Sequence, residues 1–340
     1  MPSWGMAMAA RTLIVLLNET RAHELTFALF KENLLDRLGA DLALCVGDSP
    51  REKHNAFYDH AKYVWKYKEP EDWGLAFDAF AGGNDVRALL ELPDQWFGGI
   101  RHPARPDLEQ AGTGALQLFF RDLLRRRLDE EGLFDRYDWF IVTRSDCLWP
   151  IPYPALDQFS PEHIHLMDGE RYRGYTDRFV MAPRRHFRRF MDMTRAIFEE
   201  PQALAMRMKA RSPLHWNTES FVKFRLGETG LADKLRFMPY MMYTVKPLGG
   251  PTGEGAPGGD NLQLGMYVKY PLEYSSTRAL QCVVFEPADW KHMIGPMRWL
   301  SWRFWLLCWL RVLSEKHRYP TGFRTLRLLK RFLLYLAQPR

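Results

Sequence analysis

Four short polar stretches carry the residue types that chemistry would need. Asn18-Glu19-Thr20-Arg21-Ala22-His23 and Thr143-Arg144-Ser145-Asp146 each follow an apolar run. Asp177-Arg178-Phe179 comes shortly after Gly174 and Tyr175, and Asn217-Thr218-Glu219 opens a helical pattern. A carboxylate in such a place can take the proton of an attacking hydroxyl or ligate a hard divalent cation. A guanidinium group beside it can pair with phosphate through two parallel hydrogen bonds. In open α/β sheets ligands bind beyond the carboxyl ends of the strands, so polar clusters directly after buried strands mark the expected site. Other chemistries find less support. Cys45, Cys147, Cys282 and Cys308 have no metal-ligand spacing and read as reduced, buried thiols. His23, His54, His60 and His215 form no ligand pattern and read as surface or core residues. The Gly- and Pro-rich stretch at 247–261 lacks the phosphate-loop pattern and reads as a loop, with a lid over a site as one use for it.

The elements that must position these residues follow from periodicity. Residues 12–17, TLIVLL, form a continuous β-branched and apolar run that predicts a strand buried on both faces. A helical pattern spans about 24–38 and stops near Gly39, and ADLALCV at 40–46 predicts a second strand. Together these make a β-α-β unit, the opening of an α/β sheet. Residues 61–67 read as a third strand, 114–134 as a long helix, and YDWFIVTRSD at 137–146 as a strand ending abruptly in polar residues. Short strands are predicted at 163–168 and 178–182, helices at 184–198 and 217–227, and one strand over 235–245. With 340 residues, 46% apolar and 26% charged, the chain has an ordinary globular balance. The N-terminal residues lack a basic region, and Arg11 interrupts their apolar character before the short run Leu13 to Leu17, so that run reads as the first buried strand rather than as part of a signal peptide.

The run YDWFIVTRSD resembles the strand leading to the acidic motif of GT-A-type glycosyltransferases, a family that binds nucleotide sugars. In that fold a short motif, often Asp-X-Asp, ends the strand and binds the donor's ribose and a divalent cation. Here the matching tripeptide is Arg144-Ser145-Asp146, with only the last acid present. The Thr20-Arg21 pair after the first strand, the Asp177-Arg178-Phe179 turn and Asn217-Thr218-Glu219 resemble a bacterial branch of the same enzymes, over about residues 11–245. The resemblance implies an α/β, GT-A-like Rossmann-type domain with a mixed central sheet. It implies Mn²⁺ or Mg²⁺ at Asp146, with Thr20, Arg21, Arg144 and Arg178 on the donor. Asp177 is then the general base and Glu219 its competitor. Plainer roles stand beside these: Asp146 as a strand-end cap, Asp177 capping a turn or pairing with Arg178, and Thr20 and Glu219 in helix-capping chemistry.

The charge is unevenly spread. Residues 296–340 hold ten Lys and Arg against one acid, a net +9 in a chain whose total is +6, so the rest is net −3. Trp299, Trp302, Trp305 and Trp309 stand at helical spacing among Arg298, Arg303 and Arg311. No stretch reaches the roughly 20 uncharged apolar residues of a spanning helix. The tail reads as a helical appendage lying on an anionic membrane surface, following a catalytic domain at 1–295. Packing of the tail onto the domain is the alternative, and no nucleic-acid-binding module is visible. The expected function is sugar transfer from a nucleotide-sugar donor to a glycan or lipid-linked acceptor in surface-polysaccharide synthesis. Such an enzyme would work in the cytoplasm, peripheral to the inner face of the membrane. A non-catalytic binding or scaffold protein on the same fold is the alternative.

Overall fold

The apolar run at 12–17 does what its composition predicts. Strand β1 (Thr12–Asn18) lies inside a sheet with Leu13 to Leu16 covered on both faces. Leu13, Val15 and Leu17 enter one hydrophobic core and Ile14 and Leu16 the other, as a period of two requires. The computed structural model describes residues 10–92, 96–110, 112–167, 172–176, 178–211, 216–248 and 265–281. Asp177, the loop residues 249–261, and the whole basic tail with its boundary at residue 296 lie outside the described residues.

The fold is α/β with a mixed central sheet. To β1 are added β2 (Asp41–Asp48), β3 (Ala61–Lys68), β4 (Trp139–Thr143), β6 (Ile164–Met167), β7 (Val180–Pro183) and β8 (Leu235–Met238). Their order is β3-β2-β1-β4-β7-β6-β8. The first four strands run parallel, β7 is antiparallel to both β4 and β6, and β6 and β8 are parallel. The carboxyl ends of β1, β2 and β4 therefore open on the same edge. A smaller sheet, β10-β9-β5, stands at that edge. It consists of β5 (Cys147–Leu148), β9 (Tyr243–Pro247) and β10 (Met266–Val268).

Helices cover both faces. The core on one side is closed by α3 (Trp73–Ala81), α4 (Gly114–Glu130), α5 (Arg184–Met191), α6 (Arg195–Glu199), α7 (Pro201–Arg211) and α8 (Thr218–Glu228). On the other side lie α1 (His23–Phe30), α2 (Ala56–His60) and the chain from Trp149 to Phe159. The predicted helix at 24–38 changes pitch after α1, with a π-helical stretch at Lys31–Asp36. Within it the Asn33 carbonyl accepts from the Tyr153 N–H at 2.8 Å and its amide donates to the Trp149 carbonyl at 2.8 Å. Tertiary bonds to a crossing chain thus engage the backbone where the helix widens. The predicted helix at 184–198 is likewise divided, by a tight turn at Asp192–Thr194.

The single strand predicted over 235–245 is two. β8 ends at Met238 on the edge of the large sheet and β9 begins at Tyr243 in the small one. Pro239 has no N–H to continue a ladder. The buried residues Tyr240 to Met242 are held instead by α9 (Pro271–Gln281), whose Thr277 hydroxyl bonds the carbonyls of Tyr240 at 3.2 Å and Met242 at 3.1 Å. This break carries the chain from the edge of the large sheet into the small one.

Candidate functional site

Strand β4 is fully buried and ends at Thr143, where the chain turns through Arg144, Ser145 and Asp146 into β5. The turn is tied to the loop after β1. The Ser145 hydroxyl donates to the Glu19 carbonyl at 2.8 Å, and the Thr26 hydroxyl of α1 donates to the Ser145 carbonyl at 2.7 Å. The loop after β1 itself starts and ends in left-handed backbone, at Asn18 (φ 80°) and Ala22 (φ 54°). Asn accepts this region with little strain, Ala with more, and such strain persists where the surroundings over-determine it. The two polar clusters singled out in the sequence therefore meet.

Asp146 is 3% exposed, and both its carboxylate oxygens are taken by Arg144, Nε to Oδ1 at 2.9 Å and Nη2 to Oδ2 at 2.6 Å. Burial works to raise the Asp146 carboxyl, but the Arg144 guanidinium, with Arg21 and Lys269 farther off, outweighs it and holds the group below the usual carboxylate range. Asp146 also accepts the Val245 N–H at its carbonyl, 2.9 Å, which joins the turn to β9. The neighbouring thiol of Cys147 is pushed up to about 12 by burial, with Asp146 adding to it, so it is no nucleophile at neutral pH.

The small sheet brings two cations that sequence reasoning missed. Lys246 is the fourth residue of β9, and Lys269 follows β10, its N–H bonded to the Thr244 carbonyl at 3.0 Å. Burial and the mutual repulsion of neighbouring positive charges lower both ammonium groups below their ordinary value. Lys246 had a signal of sorts, a lysine ending an apolar run. Lys269 had none, because it is brought here by pairing across the Gly-rich stretch.

The remaining candidates are placed as follows. Arg21 lies in the cluster and pairs with Glu19 at 3.2 Å. Thr20 is buried, and its hydroxyl is engaged by Glu52 and by the Asn55 amide at 2.6 Å. Its visible work is to fasten the β1 loop to the chain after β2. Arg178 is 2% exposed, ion-paired with Glu273 of α9, bonded to the Tyr240 hydroxyl at 3.3 Å and stacked on Tyr270 at 4.3 Å. Tyr270 in turn meets the Tyr172 ring at 6.4 Å, and Tyr172 is 46% exposed, so an aromatic pair rims the cluster. Glu219 stands half-buried in the first turn of α8, where Asn217 and Ser220 cap the helix reciprocally. Residues 172–176, which lead to Asp177, dock on that helix end. The Tyr175 N–H bonds the Glu219 carbonyl at 3.0 Å and the Asn217 amide bonds the Tyr172 carbonyl at 2.7 Å. Gly174 is required there: a Cβ on it would lie 1.8 Å from the Glu219 carbonyl oxygen.

Among the described residues these form no donor set for Mg²⁺ or Mn²⁺. The Asp146 carboxylate is bidentate on Arg144, positive side chains surround it, and among the described residues no group of three or more His, Cys, Asp and Glu stands together. What the arrangement offers chemically is a site for a polyanion. Compared with known proteins, the chain matches no family model and no curated protein sequence.

Proposed function

We propose that this protein is a glycosyltransferase with a GT-A-like domain, moving a sugar from a nucleotide-sugar donor to a glycan or lipid-linked acceptor. One observation carries the reading: Arg21, Arg144, Lys246 and Lys269 converge around Asp146 at the carboxyl edge of β1 and β4. A nucleoside diphosphate is the leaving group in such a reaction, and its growing negative charge is stabilised by fixed cations in a site of low dielectric. The mixed sheet, with the acid after its central strand, is compatible with this family.

In this reading the exposed Tyr172, in contact with Tyr270, offers a ring face on which a sugar or a base can stack. Asp177 or Glu219 takes the proton of the acceptor hydroxyl as it attacks the anomeric carbon. Residues 172–176 dock on the start of α8, where Glu219 stands in the first turn, which supports this choice of bases. Surface-polysaccharide synthesis at the inner face of the cell membrane accounts for the basic, Trp-rich residues 296–340. Among the described residues no helix is long and apolar enough to cross a membrane.

A thermal-shift screen against UDP, GDP, CMP and their sugars tests the reading. Saturation at about 100 times the dissociation constant adds roughly 2.7 kcal/mol. A selective shift, followed by release of the nucleotide from the matching sugar donor, supports sugar transfer. Folded protein that shifts with no nucleotide rules it out. The closed Arg144–Asp146 pair favours a second reading, a nucleotide-binding protein without turnover, and a shift with no release from any donor would select it.

A further inference from the structure

The charges at the site can be paired off one by one. Arg21 is matched by Glu19, Arg144 by Asp146 and Arg178 by Glu273. Lys246 and Lys269 remain. Neither has a carboxylate within ion-pair distance among the described residues, although both are half-buried. Burying an ammonium group without a counter-charge is unfavourable. Two such groups side by side are doubly so, and a fold keeps them only where something else compensates.

Sheet geometry puts the two lysines on one face. Val268 pairs with Val245 and Tyr267 with Lys246, so the next step of the antiparallel ladder sets Lys269 opposite Thr244. Directly opposed residues share a face, as do residues two apart on one strand. Lys269, Thr244 and Lys246 therefore line the same side of the small sheet. Thr244 itself is 1% exposed, so the two lysine stems are what this face presents. Two ammonium groups on one face with no carboxylate at ion-pair distance among the described residues, beside Arg144 and Arg21, describe a receptor for an anion of about two negative charges.

We propose that Lys246 and Lys269 hold the diphosphate of the donor in place of a divalent cation, so that this chain binds nucleoside diphosphates without metal. The inference rests on the glycosyltransferase reading and deepens it. The two lysines supply the +2 that a bound Mg²⁺ or Mn²⁺ would supply, at fixed positions on a paired ladder. Asp146 then serves as the anchor that orients the Arg144 guanidinium and has no metal to ligate.

The two accounts of Asp146 predict opposite signs. If the carboxylate held a metal, Asp146→Asn would abolish diphosphate binding. If it only restrains Arg144, the same change removes a negative charge from the site and leaves binding as tight or tighter. The experiment is calorimetric titration of the full chain with inorganic pyrophosphate and with UDP, in EDTA and then in excess Mn²⁺ or Mg²⁺. Expected results are affinities that change less than about twofold with metal, and a loss of about tenfold in each of Lys246→Gln and Lys269→Gln. The lysine variants stand in for Asp146→Asn if that variant fails to fold, and circular dichroism checks all three. Binding that appears only with metal, or lysine variants that bind like the parent chain, overturns the inference and leaves the transferase reading standing. Absence of binding by pyrophosphate and every nucleotide, with or without metal, overturns both.

Discussion

Gly174→Ala is the substitution whose effect follows most directly from geometry. The added Cβ would sit 1.8 Å from the Glu219 carbonyl oxygen and 2.3 Å from the Ser220 nitrogen, both backbone atoms at the start of α8. Real Cβ atoms essentially never approach closer than 3.0 Å, so residues 172–176 must retreat by more than 1 Å. Neither partner yields easily, since the helix start is held by the reciprocal Asn217–Ser220 cap. The retreat breaks the Tyr175 N–H to Glu219 bond and the Asn217 amide to Tyr172 bond, each worth about 0.5–1.5 kcal/mol. Overpacking adds about 1–3 kcal/mol. The sum is a loss of about 2–6 kcal/mol, read by urea denaturation as a lower midpoint with an unchanged slope. On the proposed transferase reading, turnover should fall by more than the stability loss explains, because a shift of about 1 Å in a positioned group costs about a hundredfold in rate. A variant within about 0.5 kcal/mol of the parent, with unchanged turnover, would refute the argument that backbone contact seats this segment.

Two further expectations concern pH and the tail. His165, on β6 and 4% exposed, is carried down to about 4 by burial, against the opposing bond of its Nε2–H to the Ser160 carbonyl. The unfolded chain therefore gains this proton first as pH falls from 6.5, so the contribution, up to about 3 kcal/mol, is complete above pH 6.5 and is lost by about pH 4. His165→Gln should flatten the decline of stability across that window, and parallel curves for the two proteins would show that the histidine is not the cause. Removal of residues 296–340 should abolish co-sedimentation with vesicles containing anionic lipid while preserving nucleotide binding, whereas retained sedimentation would place the membrane contact elsewhere.

Local composition was enough for the strands that frame the site. A continuous apolar run can lie only where both faces are covered, so β1, β2 and β4 were legible, as were the polar stretches at the ends of β1 and β4. The meeting of Arg21 with Arg144 and Asp146 was legible too, because parallel strands of one sheet open on a common edge. Other features depended on partners distant in the chain. Thr20 turned toward Glu52 and Asn55, and Arg178 toward Glu273, since a buried polar group takes whichever partner the packing brings. The strand over 235–245 divided because Pro239 cannot pair and α9 held the residues after it, and α9 lies beyond the Gly-rich stretch. The two unmatched lysines were likewise invisible as a pair. Side-chain period and strand ends are written in neighbouring residues, so the sequence by itself determined the α/β sheet and which edge carries the polar ends. The facing of Lys246 and Lys269 across Thr244 is set by ladder register between separate strands. Register depends on the whole packed core, and only the tertiary structure decided it.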